Sequence, residues 1–295
     1  MDSKNGMLTW VWGPVMWYVL HYVSFRYPQN PTQEDKQLYY NFVFYLKYVL
    51  PCGACRENYT SNISELSLKT HHLKNTCSFA AWVYNFHNVV NKMTKKHPYT
   101  PPTFEEVVKI YNDPAVYDAF VTISIIPKTK RVQNNIESNC SVKSNVNSDM
   151  NAFALPFWFI LLCISFNYPI EPTNEQKINY SMFFNTCFQI YRNMFTINTH
   201  PISIHDSCLK NRYQFTNHII YLLSLHNKIQ YEYNTIHNII EKFRAKCVQN
   251  NKNKESGCTQ ILSGKKCKAI VSINSFKTEC NDFMKMIIIS PECFK

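Results

Sequence analysis

The amino-acid sequence predicts an all-α protein, and three observations support this fold class. Leu, Ile, Phe and Tyr recur at helical spacing along most of the 295 residues. The chain has only five glycines, whereas aromatic residues make up 15% of it, so large side chains are available for a helical core. Prolines separate short periodic segments, and short helices with tight connections favour an antiparallel bundle.

The first part of the chain predicts four helices and a short fifth one. The first ends before Tyr27-Pro28, because proline cannot continue a helix. Thr32 and Asp35 form an N-cap signature for the second. Pro51 opens the third helix and Thr103 caps the fifth. The expected ranges are Trp12 to Arg26, Thr32 to Val49, a short helix from Pro51, Cys77 to Lys95, and Thr103 to Tyr111.

Later in the chain the same pattern returns. Residues Trp158 to Pro169 resemble Trp17 to Pro28, and the register then continues without a gap. Further matches are Pro31-Thr32 with Pro172-Thr173, Glu34 with Glu175, Phe42 with Phe183 and, less closely, Phe86-His87-Asn88 with Leu225-His226-Asn227. We therefore expect a second, degenerate helical bundle. The predicted division is a first bundle at 1–127, a polar linker at 128–151, the second bundle at 152–247 and a cysteine-containing region at 248–295.

The second copy lacks the residues that could carry redox chemistry. In the alignment of the two copies, Asn193 and Thr196 occupy the positions of Cys52 and Cys55. Without a dithiol the copy cannot transfer electrons. A scaffold, a dimer contact and a substrate platform all remain open as its role.

The composition argues against several classes of function. The net charge is +11, but the lysines are dispersed and no nucleic-acid recognition motif occurs, so we expect no nucleic-acid partner. The longest apolar run, Ala152 to Phe166, is shorter than the ~20 residues of a membrane-spanning helix. The first residues lack a secretory signal pattern, which predicts a reducing compartment. Twelve cysteines there are explained if the protein itself handles disulfides.

The most informative motif is Pro51-Cys52-Gly53-Ala54-Cys55 at the predicted start of a helix. A helix N-terminus stabilises a thiolate, and two sulfurs at this spacing can form a disulfide. A buried structural pair and half a zinc site are the alternatives. Zinc would need two more ligands, and only Cys77, His71 and His72 are close in sequence.

Two further clusters flank this dithiol. Upstream are Trp12-Gly13-Pro14-Val15-Met16-Trp17, His21 and Tyr27-Pro28, in which Trp17 and His21 are one helical turn apart. Downstream are Trp82, the run from His87 to Asn91, and Lys95-Lys96. Side chains on one helix face can line a planar ligand, and a lysine can neutralise a pyrophosphate.

The three clusters, in this order, resemble the Erv/ALR family of FAD-linked sulfhydryl oxidases, from about Leu8 to Tyr111. The resemblance implies the Erv/ALR four-helix bundle with a short fifth helix, FAD as cofactor and no metal. It implies that Cys52 is the outer catalytic cysteine, which meets the substrate, and Cys55 the inner one, against the flavin. The FAD contacts it implies are Gly13, Trp17, His21, Tyr27, Trp82, His87, Asn88, Val90, Asn91, Lys95 and Lys96.

By the same resemblance, the protein oxidises protein dithiols, passes the electrons through FAD to O2 with H2O2 as product, and dimerises through its first two helices. The Trp-Gly-Pro-x-x-Trp opening and an extra C-terminal domain are similar to versions from large DNA viruses of the mimivirus type. Viral protein substrates in the host cytoplasm, the virus factory and the virion follow from that likeness.

The chain departs from the family pattern in three places. Lys95 stands where many members have glycine, no second Cys-x-x-Cys occurs, and Cys77 lacks an obvious partner. Two other functions are possible. One is a non-enzymatic helical adaptor with structural cysteines, and the other is a thioredoxin-like exchanger, which would need a strand-helix-strand setting.

Overall fold

A computed structural model describes residues 6–94, 100–112, 146–195, 203–227 and 229–242. These residues form helices joined by short connections, which confirms the all-α prediction. Five α-helices precede the first long gap: α1 (Thr9–Phe25), α2 (Gln33–Val49), α3 (Gly53–Glu65), α4 (Thr76–Thr94) and α5 (Phe104–Asn112). Four more follow it: α6 (Val146–Ser165), α7 (Asn174–Phe195), α8 (Arg212–Asn227) and α9 (Tyr233–Lys242). Short 3₁₀ turns, Thr70–Leu73 and Asp206–Cys208, precede α4 and α8.

Side-chain caps fix where the second helix of each bundle begins. At α2 the Asp35 amide donates to Thr32 Oγ1 at 3.1 Å, and the Thr32 amide donates to the Asp35 carboxylate at 2.9 Å. Thr173 and Gln176 repeat this reciprocal pair at the start of α7. Both caps satisfy amides that a helix N-terminus otherwise leaves unpaired.

The same aromatic core recurs in both halves. In each, a tyrosine hydroxyl donates to the carbonyl of the leucine that ends or follows the 3₁₀ turn, at 3.0 Å in the first and 2.9 Å in the second. That tyrosine packs edge-on against a second tyrosine, with 4.7 Å between ring centroids in both cases. The two sets are Tyr27, Tyr39, Phe79 and Leu73, and Tyr168, Tyr180, Phe215 and Leu209.

This shared core corrects one sequence match. Phe215 occupies the position of Phe79, and the Asn75 side chain that caps α4 has its counterpart in Asn211 at α8. In the alignment that this core defines, His226 corresponds to Val90 and Leu223 corresponds to His87. The match of Leu225-His226-Asn227 with Phe86-His87-Asn88 is therefore wrong by three residues. The exact division of the chain into domains stays a prediction.

The bundles pack directly on each other. Helix α1 contacts α6, and α2 contacts α7 over much of its length. The rings of Tyr22 and Phe153 stack across the first pair, and those of Phe42 and Phe183 across the second. Buried side chains of both bundles thus form one continuous apolar core. Across the described ranges no helix is long and apolar enough to cross a membrane.

Candidate functional site

The dithiol lies at the N-terminus of α3. Cys52 is the N-cap residue, its backbone is extended, and its sulfur accepts a hydrogen bond from the Cys55 amide at 3.3 Å. The two cysteines form a disulfide, with their Cα atoms 5.1 Å apart. Because the helix dipole is positive at this end, the site favours the thiolate that reduction of the disulfide releases. Cys77, at the start of α4, is also disulfide-bonded, although the sequence offers it no obvious partner.

A cavity of about 330 Å³ lies beside the inner sulfur. It is bounded by α1, the end of α2, α3 and α4, and Cys55 forms part of its wall. Three of the expected cofactor contacts also line it, namely Gly13, Trp17 and Val90. The other lining residues are largely apolar: Thr9, Trp12, Met16, Leu20, Leu46, Leu50, Ala54, Glu57, Asn58, Tyr59, Asn62 and Met93.

A cluster of rings supports one wall of this cavity. Trp17 stacks on His87 with 3.8 Å between ring centroids, and His87 Nδ1 is 3.0 Å from His21 Nε2. Tyr111 of α5 also stacks on His21, with 5.1 Å between ring centroids. Burial, with a smaller contribution from His87, holds the pKa of His21 well below its ordinary value. His21 is therefore neutral near pH 7, and its buried Nδ1 has no hydrogen-bond partner.

Other expected cofactor contacts lie outside the cavity lining. Tyr27 is buried in the shared aromatic core. Trp82 stacks between core rings, and its buried Nε1 is unpaired. Asn88 is half-buried and Asn91 buried on α4, on either side of Val90. Lys95 and Lys96 lie outside the described residues.

Thr9 contacts the sulfur of Cys55 but is not among the site residues predicted from the sequence. Thr9 Oγ1 lies 3.6 Å from Cys55 Sγ, and the threonine lines the cavity. Thr9 precedes Gly13 by one helical turn, and Gly13 precedes Trp17 by another, so all three share one face of α1. Extending that face one turn towards the N-terminus would add Thr9 to the candidate residues of α1, although it does not reveal the contact with Cys55.

The outer cysteine is covered by the residues before α1. Cys52 is only 1% exposed. The Met7 amide donates to the Pro51 carbonyl at 2.7 Å, and a Cβ on Gly6 would lie 2.9 Å from Cys52 Cα. Trp12 Nε1 anchors this cover by donating to the Met7 carbonyl at 3.1 Å. Residues 6–8 therefore lie over Cys52 and contribute to its burial.

In the second bundle, α7 continues past the point at which α2 ends. Helix α2 stops at Val49, whereas α7 runs to Phe195 and carries Tyr191 and Phe195 at its C-terminal end. Their rings pack 5.1 Å apart, and the Tyr191 hydroxyl hydrogen-bonds His226 Nε2 at 2.8 Å. Both rings also pack against Phe153 of α6, so the end of α7 is filled with aromatic side chains.

The first bundle's site fits the ring system of a flavin. Its cavity is mostly apolar, Trp17 of the aromatic cluster lines it, and so does Cys55 of the disulfide. The unpaired Nδ1 of His21 provides a buried polar atom nearby. In the part of the chain that is described, no three His, Cys, Asp or Glu side chains are grouped as metal ligands.

These features define a class, namely helical-bundle proteins with a disulfide next to a cofactor cavity. Comparison with known proteins gives the family: residues 14–109 match the Erv1 / Alr family, and the chain belongs to that family. It is 40% identical over 98 residues to a probable FAD-linked sulfhydryl oxidase of Acanthamoeba polyphaga mimivirus, covering 33% of this chain and 68% of the relative.

Two further relatives match about a third of the chain. One is the FAD-linked sulfhydryl oxidase of African swine fever virus, 31% identical over 29% of this chain and 69% of the relative. The other is the FAD-linked sulfhydryl oxidase ERV2 of Saccharomyces cerevisiae, 28% identical over 32% of this chain. That match spans 46%, slightly under half, of the yeast protein.

Proposed function

We propose that the protein is an FAD-dependent sulfhydryl oxidase that forms disulfide bonds in protein substrates. One observation carries this proposal: Cys55 of a disulfide at a helix N-terminus lines a largely apolar cavity that is also lined by Trp17, whose ring stacks on His87. Family membership and the names of the viral and yeast relatives support the same activity.

The dithiol chemistry of this proposal uses the roles that the family resemblance implies for Cys52 and Cys55. A substrate thiolate attacks Cys52 Sγ, a mixed disulfide forms, and Cys55 leaves as a thiolate. The second substrate thiolate then attacks the substrate sulfur of the mixed disulfide and releases Cys52. The substrate has lost two electrons and gained a disulfide, and both cysteines are reduced.

The chain's own residues prepare the inner thiolate. It lies at the positive end of α3 and within reach of the Thr9 hydroxyl, and both stabilise negative charge on sulfur. Gly13, Trp17 and Val90 would hold the flavin ring beside it. When bound, FAD supplies a two-electron acceptor that O2 regenerates, with H2O2 as product.

We further propose that the substrates are viral proteins, oxidised in the host cytoplasm and virus factory and carried in the virion. Support comes from the likeness to large-virus sequences and from the viral relatives. The homodimer implied by the family resemblance is not part of this proposal, because the second bundle covers α1 and α2.

The test is the visible spectrum of the purified protein, followed by oxygen uptake on addition of dithiothreitol. We expect flavin bands, and uptake that Cys55→Ser abolishes. Cys208→Ser is the matched control, because the Cys208 thiol of the second bundle only donates to the His205 carbonyl and serine can do the same. This variant should keep full uptake.

Two results would contradict the proposal. A protein that stays colourless after incubation with FAD would favour the non-enzymatic adaptor. A yellow protein with no thiol-dependent uptake would mean that flavin binds but the Cys52–Cys55 route does not operate.

A further inference from the structure

The two bundles meet through corresponding helices. In the internal repeat α6 corresponds to α1 and α7 corresponds to α2. The structure packs α1 on α6 and α2 on α7. When two related units join through the same elements on each side, the interface is isologous, as between subunits related by a twofold axis.

Individual residues follow the same symmetry. Phe42 of α2 and Phe183 of α7 occupy matching positions of the repeat. Their rings are near-parallel, with centroids 5.9 Å apart, and both residues are buried. A residue that contacts its own counterpart lies at the axis of a twofold arrangement. The repeat and the packing therefore describe one pseudo-twofold relation.

We infer that the second bundle occupies the position of a second subunit, so that the chain is a single-chain pseudodimer. The α1–α2 face is covered within one chain and is closed to a second copy. Tyr22 stacks on Phe153 with 4.5 Å between ring centroids, which extends the apolar contact from α2 to α1. Joining both halves in one chain gives them a high effective concentration, so a separate copy competes poorly.

This inference gives the degenerate copy a physical role. The copy keeps the cap at α7, the Tyr168–Tyr180–Phe215 core and the face that meets the first bundle. It lacks the dithiol, and α7 continues as one helix to Phe195 where the first copy ends α2 at Val49 and places its Cys-x-x-Cys. Features needed for packing are present and features needed for electron transfer are absent, so the second bundle serves as the internal counterpart of a second subunit. Each protein molecule then carries one catalytic disulfide.

The native mass of the full-length protein, measured by sedimentation over a wide concentration range, tests the inference directly. We expect a single species of one chain, 34.8 kDa, and a urea midpoint of unfolding that is independent of protein concentration. A dimer built through α1 and α2 would have twice that mass, and its midpoint would rise with concentration.

Two variants on one helix separate the possible outcomes. Phe42→Asp places a charge between the bundles, and Tyr40→Asp makes the same kind of change at an exposed position of α2. We expect Phe42→Asp to lower the urea midpoint, Tyr40→Asp to leave it nearly unchanged, and both to keep the mass of one chain. A wild-type dimer that Phe42→Asp splits into single chains would overturn the inference. If Phe42→Asp fails to fold, the wild-type mass and midpoint still decide.

Discussion

The hydrogen bond between Thr9 and the inner cysteine gives the sharpest prediction about the reaction. Thr9→Val keeps the shape of the side chain but removes the hydroxyl that lies 3.6 Å from Cys55 Sγ. In the disulfide the sulfur is a weak acceptor, whereas after reduction it is a thiolate. The bond therefore strengthens during turnover, and its loss should slow the delivery of electrons more than it weakens the fold.

The magnitude follows from the strength of a charge-assisted bond. A hydrogen bond to a charged group contributes about 1.5–3 kcal/mol, and sulfur at this distance belongs at the lower end. A loss of about 1.4 kcal/mol corresponds to roughly a tenfold change in rate. We therefore expect Thr9→Val to slow flavin reduction about tenfold.

The assay is anaerobic rapid mixing with dithiothreitol, followed by the loss of flavin colour. Thr9→Ser is the matched control, because it restores the hydroxyl, and it should reduce at nearly the wild-type rate. In Thr9→Val the long-wavelength absorbance of the thiolate–flavin contact should also appear only at higher pH. Equal rates and equal pH profiles for Thr9→Val and wild type would refute the proposed role of Thr9.

Three other predictions follow from the cover, the cavity and the second bundle. Gly6→Ala pushes the cover away from Cys52, since its Cβ would lie 2.9 Å from Cys52 Cα, and should raise kcat/KM for dithiothreitol. Ala54→Phe places an aromatic ring in the lining of the cavity, and should abolish flavin binding while the helical circular dichroism stays unchanged. Burial holds the pKa of His226 below 6.5 despite a hydrogen bond to a neighbouring side chain that raises it. The unfolded chain therefore takes up a proton below about pH 6.5 that the folded chain does not, so stability falls on acidification by up to about 1.4 kcal/mol per pH unit. Measured by urea unfolding, His226→Gln should reduce that pH dependence.

Each of these predictions has a contradicting result. An unchanged kcat/KM in Gly6→Ala would show that the cover does not limit access. Ala54→Phe protein that remains yellow would place the flavin elsewhere. Identical pH profiles of stability for His226→Gln and wild type would mean that His226 titrates normally in the fold.

Local signals in the sequence predicted much of the fold. The reciprocal cap of Thr32 and Asp35 forms as predicted, because capping depends on residues within one turn of each other. The repeat was visible through the register that relates Phe42 to Phe183. The dithiol motif indicated a disulfide at a helix N-terminus, and its cysteines form one.

The sequence was less informative where a residue depends on distant parts of the chain. Thr9 and Cys55 are 46 positions apart, and no periodicity within one helix indicates that they meet. The family resemblance implies that Tyr27 contacts the cofactor, and the position of Tyr27 away from the cavity lining was not visible in the sequence. In the structure its ring packs against Tyr39 and its hydroxyl donates to a backbone carbonyl. Periodicity shows which side of a helix is buried but does not show what covers that side.

The sequence by itself determined the class of chemistry, the helices and the presence of a second copy without a dithiol, since residue types and short spacings carry that information. Only the tertiary structure decided that residues 6–8 cover Cys52, that α7 continues to Phe195 where α2 ends at Val49, and that the two bundles meet through matching helices. These outcomes depend on how separately specified helix faces pack together, and that packing is a property of the whole core.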